Sequence, residues 1–238
     1  MAGELLLERY RGPAEGVSSK SSETDLVSEA DRASEAAILE LLIAERPEDG
    51  LLGEEGSSRE GASGRRWVVD PLDGTINYLF RFPAWCVSVA LEDASGGLVG
   101  VVHDPLRGET FRAARGEGAF LNGARLHVRG QESLEFALIA TGFGYQAEVR
   151  ASQAQLLTQV LPRVRDIRRA GAAALDLAWV AAGRLDGYYE RGLKAWDWAA
   201  AKVLITEAGG ALAELEGDPP GLAAANPALL PKLLELVA

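Results

Sequence analysis

Residues 67–78 read WVVDPLDGTINY, and the rest of the chain is best read outward from them. Trp67, Val68 and Val69 suit a buried strand. Pro71 has no N–H for a ladder and restricts Asp70 to extended backbone, so the strand is expected to end at Asp70 and the chain to turn. That turn brings Asp73 back near Asp70 and leaves the Leu72 carbonyl without a ladder partner. Two carboxylates and a free carbonyl are hard oxygen donors of the kind Mg²⁺ takes. Gly74 lets the backbone approach a ligand closely. Thr75 can open a helix whose first N–H groups suit an anion. The plainer alternative is a turn whose acids only cap backbone groups.

Two further acid clusters favour the metal. LLGEEG places Glu54 and Glu55 on a glycine-flanked turn after apolar residues. KAWDWAAAKVLITEAGG (194–210) opens a helix at Asp197, whose simple role is an N-cap. Ala199, Ala200 and Ala201 let that helix end pack tightly, and Gly209-Gly210 closes it.

Around these motifs the pattern is mixed. Leu26, Ala30, Ala33, Ala37 and Leu41 recur at helical spacing, predicting a helix over 28–46 with a Ser28/Asp31 capping box and a stop at Pro47. Residues 56–64 read as a mobile loop. Strands are predicted over 66–70, 84–92, 98–104 and 109–115, with an Asn122-Gly123 hairpin after them. Beyond residue 130, strands at 136–140, 185–190 and 211–214 alternate with helices at 150–161, 172–182, 197–208 and 227–237. Asn226-Pro227 is expected to cap the last helix. The expected fold class is a layered α+β / α/β mixture. Residues 1–130 form an N-terminal α+β half with the metal motifs, and residues 131–238 an α/β half that completes the site.

Composition sets limits. The net charge is −11, of which −9 falls in residues 1–60 (fifteen acids against six Arg or Lys). Nucleic-acid binders need a cationic surface, so no nucleic-acid partner is expected. No run of about 18 apolar residues occurs, so no membrane span is expected. The N-terminus has no charged-then-apolar leader, and Cys86 is the single cysteine, which suits a reducing cytoplasm. Arg outnumbers Lys twenty to four, which fits either a hot habitat or genome base bias. His103 and His127 lack partner motifs and read as structural or surface residues, and Cys86, inside AWCVSVAL, as a buried small apolar residue.

GEE, WVVDPLDGTINYLFRFP and WDWAAAKVLITEAGG, in that order, resemble the inositol monophosphatase family of Mg²⁺-dependent, lithium-sensitive phosphatases. YYERGLKAWD resembles its bacterial inositol-1-monophosphatase branch. The resemblance runs from Lys20 to the C-terminus and implies the αβαβα sandwich of the sugar phosphatases, assembled as a homodimer. It implies metal ligands at Glu54, Asp70, the Leu72 carbonyl, Asp73 and Asp197, holding two or three Mg²⁺. Glu54, Asp31 and Thr75 become the catalytic residues, with Asp31 and Thr75 orienting the attacking water. Gly74, Thr75, Gly171, Ala172, Ala173, Glu190 and Asp197 become the substrate contacts, with Glu190 accepting from inositol hydroxyls. Lys20, in KSSETD, falls in the family's mobile loop near the metals.

The chain departs from the family in places. The segment before Lys20 is short, which truncates the family's long first helix. Ile76 stands where Thr is usual, Phe80 where His is usual, and Ala172 where Thr is common. These three are expected in the active-site surround, where they bear on substrate choice.

The reaction implied is hydrolysis of inositol monophosphate to inositol and phosphate by a metal-activated water. Fructose-1,6-bisphosphate, 3′-phosphoadenosine-5′-phosphate, histidinol phosphate and 2′-phospho-nucleotides are rival substrates within the same chemistry. Arg168 and Arg169 either reach a second phosphate, favouring a bisphosphate, or are surface arginines. An aspartyl-phosphate phosphotransferase needs D-x-D-x-T, and here an extra residue separates the acids. A Mg²⁺-dependent phosphosugar sensor without catalysis is the remaining alternative.

Overall fold

The computed structural model describes residues 1–12, 16–20 and 26–238. Ser21–Asp25 of the KSSETD segment lie outside the described residues. Helix α1 (Ala2–Tyr10) is followed by β1 (Ser18–Ser19) and β2 (Leu26–Val27), which pair with each other. Helix α2 (Glu29–Glu45), β3 (Gly50–Gly53), β4 (Ser58–Arg59), β5 (Arg66–Asp73) and the short α3 (Thr75–Leu79) carry the first motifs. Strands β6 (Cys86–Asp93), β7 (Gly96–Asp104), β8 (Glu109–Ala114), β9 (Gly118–Leu121) and β10 (Ala124–Arg125) complete an eight-stranded sheet of order β10-β9-β8-β7-β6-β5-β3-β4.

The second half builds a smaller sheet. Strand β11 (Leu138–Thr141), α4 (Ala147–Val160), β12 (Asp166–Arg168), α5 (Ala173–Ala181), β13 (Gly187–Arg191), α6 (Ala195–Glu207), β14 (Ala211–Leu215), β15 (Gly221–Ala225) and α7 (Leu230–Val237) follow in order. Its five strands run β12-β11-β13-β15-β14.

Three apolar clusters define the layers. Val69 and Val87 of the large sheet, with Trp85 just before β6, pack with Leu6 of α1 and Ala30 and Ile38 of α2. On the sheet's other face, Val68, Ala90, Val102 and Phe111 meet α5 and α6, whose far sides meet Tyr188, Leu222 and Ala224 of the small sheet. The outer face of the small sheet is closed by α4 and α7, through Val160, Leu230 and Leu233. Helices, sheet, helices, sheet, helices: this is the αβαβα sandwich. Alanine-rich α6 (Ala199–Ala201) lets the central layer lie close to the large sheet; a Cβ on Gly100 would sit 2.2 Å from the Ala200 carbonyl oxygen.

The structure corrects several local readings. The buried stripe of α2 is Ala30, Asp31, Ser34, Glu35, Ile38 and Leu39, while Leu41 is 51% exposed. Alanine spacing pointed to a neighbouring face because three of the inward positions are polar. The Ser28/Asp31 capping box is present. The 56–64 segment contains β4, which pairs with β3. Strands β12 and β15 had no clear alternation to announce them. Asn226 accepts from the Ala228 and Leu229 N–H groups in a turn, and α7 begins later, at Leu230 with Pro231 next. Helix α1 is nine residues long and is anchored by the Tyr78 hydroxyl on the Leu6 carbonyl and by Tyr10 against Trp85.

Candidate active site

The site starts from strand register. Parallel pairing aligns Gly50–Gly53 with Arg66–Val69, so the next residues, Glu54 and Asp70, lie side by side. The Glu54 N–H donates to the Val69 carbonyl at 3.1 Å, which carries the alignment one step further.

Strand β5 does not end at Asp70. Asp70 lies opposite Ser88 and Asp73 opposite Cys86, so Pro71 and Leu72 together face Val87 alone. This is a β-bulge, one of the few places a sheet interior accepts proline. Residues three apart on a regular strand point to opposite faces. The bulge resets that alternation, and Asp70 and Asp73 both line one cavity. Leu72 also lines it, and the Thr75 hydroxyl lies 3.0 Å from its carbonyl oxygen. Gly74 sits at φ 89° where a Cβ would come 2.9 Å from the Ala84 carbonyl oxygen, so both conformation and space require glycine.

The cavity has a volume of about 460 Å³. Glu54, Asp70, Leu72, Asp73, Gly74, Thr75, Gly171, Ala173, Glu190 and Asp197 all line it, brought from both halves of the chain. Asp31 does not reach it; with no exposed surface, it stands behind Thr75, whose hydroxyl lies 2.7 Å from Asp31 Oδ1. Ala172 is buried against Gly74 and does not line the cavity. Neither Ile76 nor Phe80 lines it, and Phe80 is 76% exposed, so the three departures lie outside the cavity wall.

Backbone groups fix the carboxylates. Asp197 is not the N-cap of α6 but its third residue; Oδ2 accepts from the Lys194 N–H at 2.6 Å. The helix starts two residues earlier than the sequence suggested because Ala195 and Trp196 suit a first turn. Asp73 accepts from the Ala173 and Ala174 N–H groups at 3.1 and 2.7 Å, so it meets the positive end of α5. Asn77 Nδ2 donates to the Ala84 and Ala170 carbonyls, tying the Gly171 loop to α3.

Burial and crowding set the charge. Asp70 and Asp197 are pushed well above the usual carboxylate range, first by burial and then by the neighbouring acids. Burial raises Asp73 to about 6 against the α5 N–H groups. Glu190 rises to about 7 through burial, opposed by its Tyr188 hydrogen bond and by Arg169. Such a set is short of positive charge. Lys20 supplies some: its ammonium donates to Glu54 and to Glu55, each at 2.7 Å, and is held above the ordinary lysine range because the two carboxylates outweigh burial.

Among the described residues no group of three or more His, Cys, Asp or Glu side chains stands close enough together to hold a metal ion as placed. The four acids instead surround the cavity, and an ammonium stands in as the cation at Glu54. Hard oxygens, excess negative charge and a cation already on Glu54 fit Mg²⁺ at this place.

Sequence reasoning missed the supports. Asn77 and Tyr188 stand inside the quoted motifs WVVDPLDGTINY and YYERGLKAWD without a role of their own, and Glu35 carries no motif. Arg168 turns to Asp166 on the surface at 2.6 Å, whereas Arg169 lines the cavity and stacks over Phe143 at 5.8 Å. The two arginines therefore part company. His103 is half-buried, beside Thr110, and Cys86 is fully buried, as expected.

The profile of the inositol monophosphatase family matches residues 1–237. The chain belongs to this family. Inositol monophosphatase family members are metal-dependent phosphatases, generally of Mg²⁺. Nus factor SuhB of Escherichia coli (strain K12) is 40% identical over 218 residues, spanning 91% of this chain and 82% of the relative. The crystal structure of extragenic suppressor protein suhB from Bartonella henselae is 39% identical, with a TM-score of 0.93 over 99% of this chain and 93% of that one. Inositol monophosphatase from Anabaena (Nostoc) sp. PCC 7120 is 33% identical, with a TM-score of 0.85 over 99% of this chain and 90% of that one. Among the described residues no helix is long and apolar enough to cross a membrane.

Proposed function

We propose that this phosphatase hydrolyses inositol monophosphate to inositol and phosphate with Mg²⁺ held by Glu54, Asp70, the Leu72 carbonyl, Asp73 and Asp197. The observation that carries the reading is the convergence of those four carboxylates on one cavity that also holds Thr75 and Glu190. When bound, the metal supplies a water of lowered pKa and neutralises charge on the phosphate and the departing oxygen.

The chain's own groups do the rest. The Thr75 hydroxyl donates to Asp31, which leaves its oxygen free to accept a hydrogen bond from the attacking water. Asp31 is the acceptor behind it for the proton on Thr75 Oγ1. Glu54 shares in holding that water. Gly74 and Thr75 present backbone N–H groups to the phosphate. Gly171 and Ala173 flank the ring, with Ala172 supporting Gly74 from behind. Glu190 accepts from ring hydroxyls when ionised. Its free oxygen is selected by the Tyr188 hydroxyl, which holds Oε2.

Phosphate release with Mg²⁺ tests the reading against inositol 1-phosphate, fructose-1,6-bisphosphate, 3′-phosphoadenosine-5′-phosphate and histidinol phosphate, with Asp73→Asn as the blank. Preference for inositol phosphate is the expected result. Preference for the bisphosphate moves the reading to a broad sugar phosphatase.

A second reading is favoured by one observation: relatives at about 40% identity are named Nus factor SuhB. On that reading the chain also serves through a protein or nucleic-acid partner. An Asp73→Asn protein that still complements loss of the chain in cells supports it. A homodimer and a cytoplasmic location belong to the same proposal, and light scattering of the purified protein tests the dimer.

A further inference from the structure

Glu35 is only 3% exposed, on the inward stripe of α2 one turn beyond Asp31. Glutamate is almost never buried without a specific partner. Its partner here is backbone: Oε2 accepts from the Glu55 N–H at 2.9 Å. That N–H belongs to the turn that carries Glu54. The rest of the turn hangs from two other bonds, Gly53 N–H to the Ser57 carbonyl at 2.7 Å and Glu54 N–H to the Val69 carbonyl at 3.1 Å.

A second observation points the same way. A Cβ on Gly53 would lie 2.5 Å from Glu35 Oε2 and 2.7 Å from its Cδ. Gly53 is not among the glycines with positive φ, so its backbone does not require glycine. The missing side chain serves space, and the space is filled by the Glu35 carboxyl. Glu35 and Gly53 thus form one fitted contact beneath the Glu54 turn.

We propose that Glu35 is a positioning residue that clamps the Gly53–Glu55 turn so that the Glu54 carboxyl is presented to a divalent cation. This rests on the metal reading of the cavity given above. Glu35 does not line the cavity. It acts through the turn, and its effect belongs to metal affinity rather than to substrate recognition. Groups that orient a ligand from behind typically change metal affinity about 10–100-fold when removed.

The test is a Mg²⁺ titration of the intact protein followed by thermal unfolding without substrate, and separately by phosphate release. In Glu35→Ala the half-saturating Mg²⁺ is expected to rise about tenfold or more in both assays, and turnover to recover as Mg²⁺ is raised. Glu35→Gln keeps an acceptor oxygen for the Glu55 N–H and is expected to stay near wild type. Gly53→Ala pushes the flexible carboxyl aside while keeping every acid, and is expected to reproduce the Glu35→Ala shift. It also decides the matter if Glu35→Ala does not fold. A wild-type titration retained in both Glu35→Ala and Gly53→Ala overturns the inference alone, as does a Glu35→Gln protein as impaired as Glu35→Ala. A wild-type protein with no response to Mg²⁺ overturns the metal reading and the inference together.

Discussion

The Thr75 hydroxyl stands 2.7 Å from Oδ1 of Asp31, whose Oδ2 accepts from the Ser28 N–H at 2.9 Å. The same carboxyl therefore closes the α2 capping box and holds the hydroxyl at the cavity wall. Thr75→Val removes the hydroxyl but not the shape. It is expected to lower kcat about 10²–10⁴-fold, the usual range for a lost proton-handling group. Thr75→Ser should recover most of that loss, and the Mg²⁺-dependent rise in melting temperature should persist in both. Equal kcat for Thr75→Val and wild type, measured at saturating Mg²⁺, removes Thr75 from the mechanism.

Lys20 occupies the cation-seeking side of Glu54. Its side chain is 22% exposed, and pairs with that degree of exposure contribute little stability, about 0–1 kcal/mol. Their larger effect is on competition. Lys20→Met leaves Glu54 and Glu55 without a counter-ion, so Mg²⁺ is expected to bind more tightly while the metal-free protein loses a few degrees at most. Calorimetric titration reads both quantities. Weaker Mg²⁺ binding in Lys20→Met would show that the lysine assists the metal instead of competing with it.

The crowded carboxylates give the metal-free protein a distinctive pH response. Asp73 rises from an ordinary 3.8 to about 6 and Glu190 from 4.5 to about 7. With folded values above unfolded ones, the native state binds the extra protons, so stability falls as pH rises from about 4 to 7 and then levels. Mg²⁺ needs the ionised acids and reverses the trend. The gap between melting temperatures with Mg²⁺ and with chelator is therefore expected to widen from pH 5.5 to 8.

Asp70→Asn removes one of the repelling charges and keeps an acceptor for the Leu72 N–H, which Asp70 Oδ1 receives at 3.1 Å. It is expected to abolish Mg²⁺-dependent turnover and yet raise the melting temperature in chelator. Each kcal/mol of relieved repulsion corresponds to about 2–4 °C. Loss of activity together with a lower melting temperature would mean that Asp70 is structural.

The acids that line the cavity were legible in the chain because they lie in contiguous motifs. Pro71 announced a break in β5, and Gly74 a close approach. What proline alone does not distinguish is a turn from a bulge, because the difference is whether Cys86 resumes pairing with Asp73. Asp197 was readable as a helix-starting acid, but its place in the first turn depends on Lys194 offering its N–H. The supports at Glu35, Asn77 and Tyr188 were illegible for a common reason. Glu35 and Asn77 act across 20 and 93 positions of sequence, and Tyr188 on the residue two further along its own strand, through hydrogen bonds that no motif announces. On α2 the polar inward stripe even disguised the buried face, because periodicity arguments count only apolar residues.

On the proposed reading, substrate choice falls to Glu190 and Arg169, which line the same cavity as the acids. Glu190 fills space that only Gly142 leaves open, since a Cβ there would lie 2.0 Å from its Oε2. Arg169 arches over Gly171 at the cavity while Arg168 is spent on Asp166. Glu190→Gln is expected to raise KM about tenfold for inositol 1-phosphate and little for a generic aryl phosphate, because only the polyol offers hydroxyls to a carboxylate. Arg169→Ala is expected to weaken a bisphosphate selectively, and Arg168→Ala neither substrate. Parallel KM measurements on the three variants separate the roles. Equal losses on both esters in Glu190→Gln would remove it as a reader of the ring and leave Arg169 as the group that discriminates.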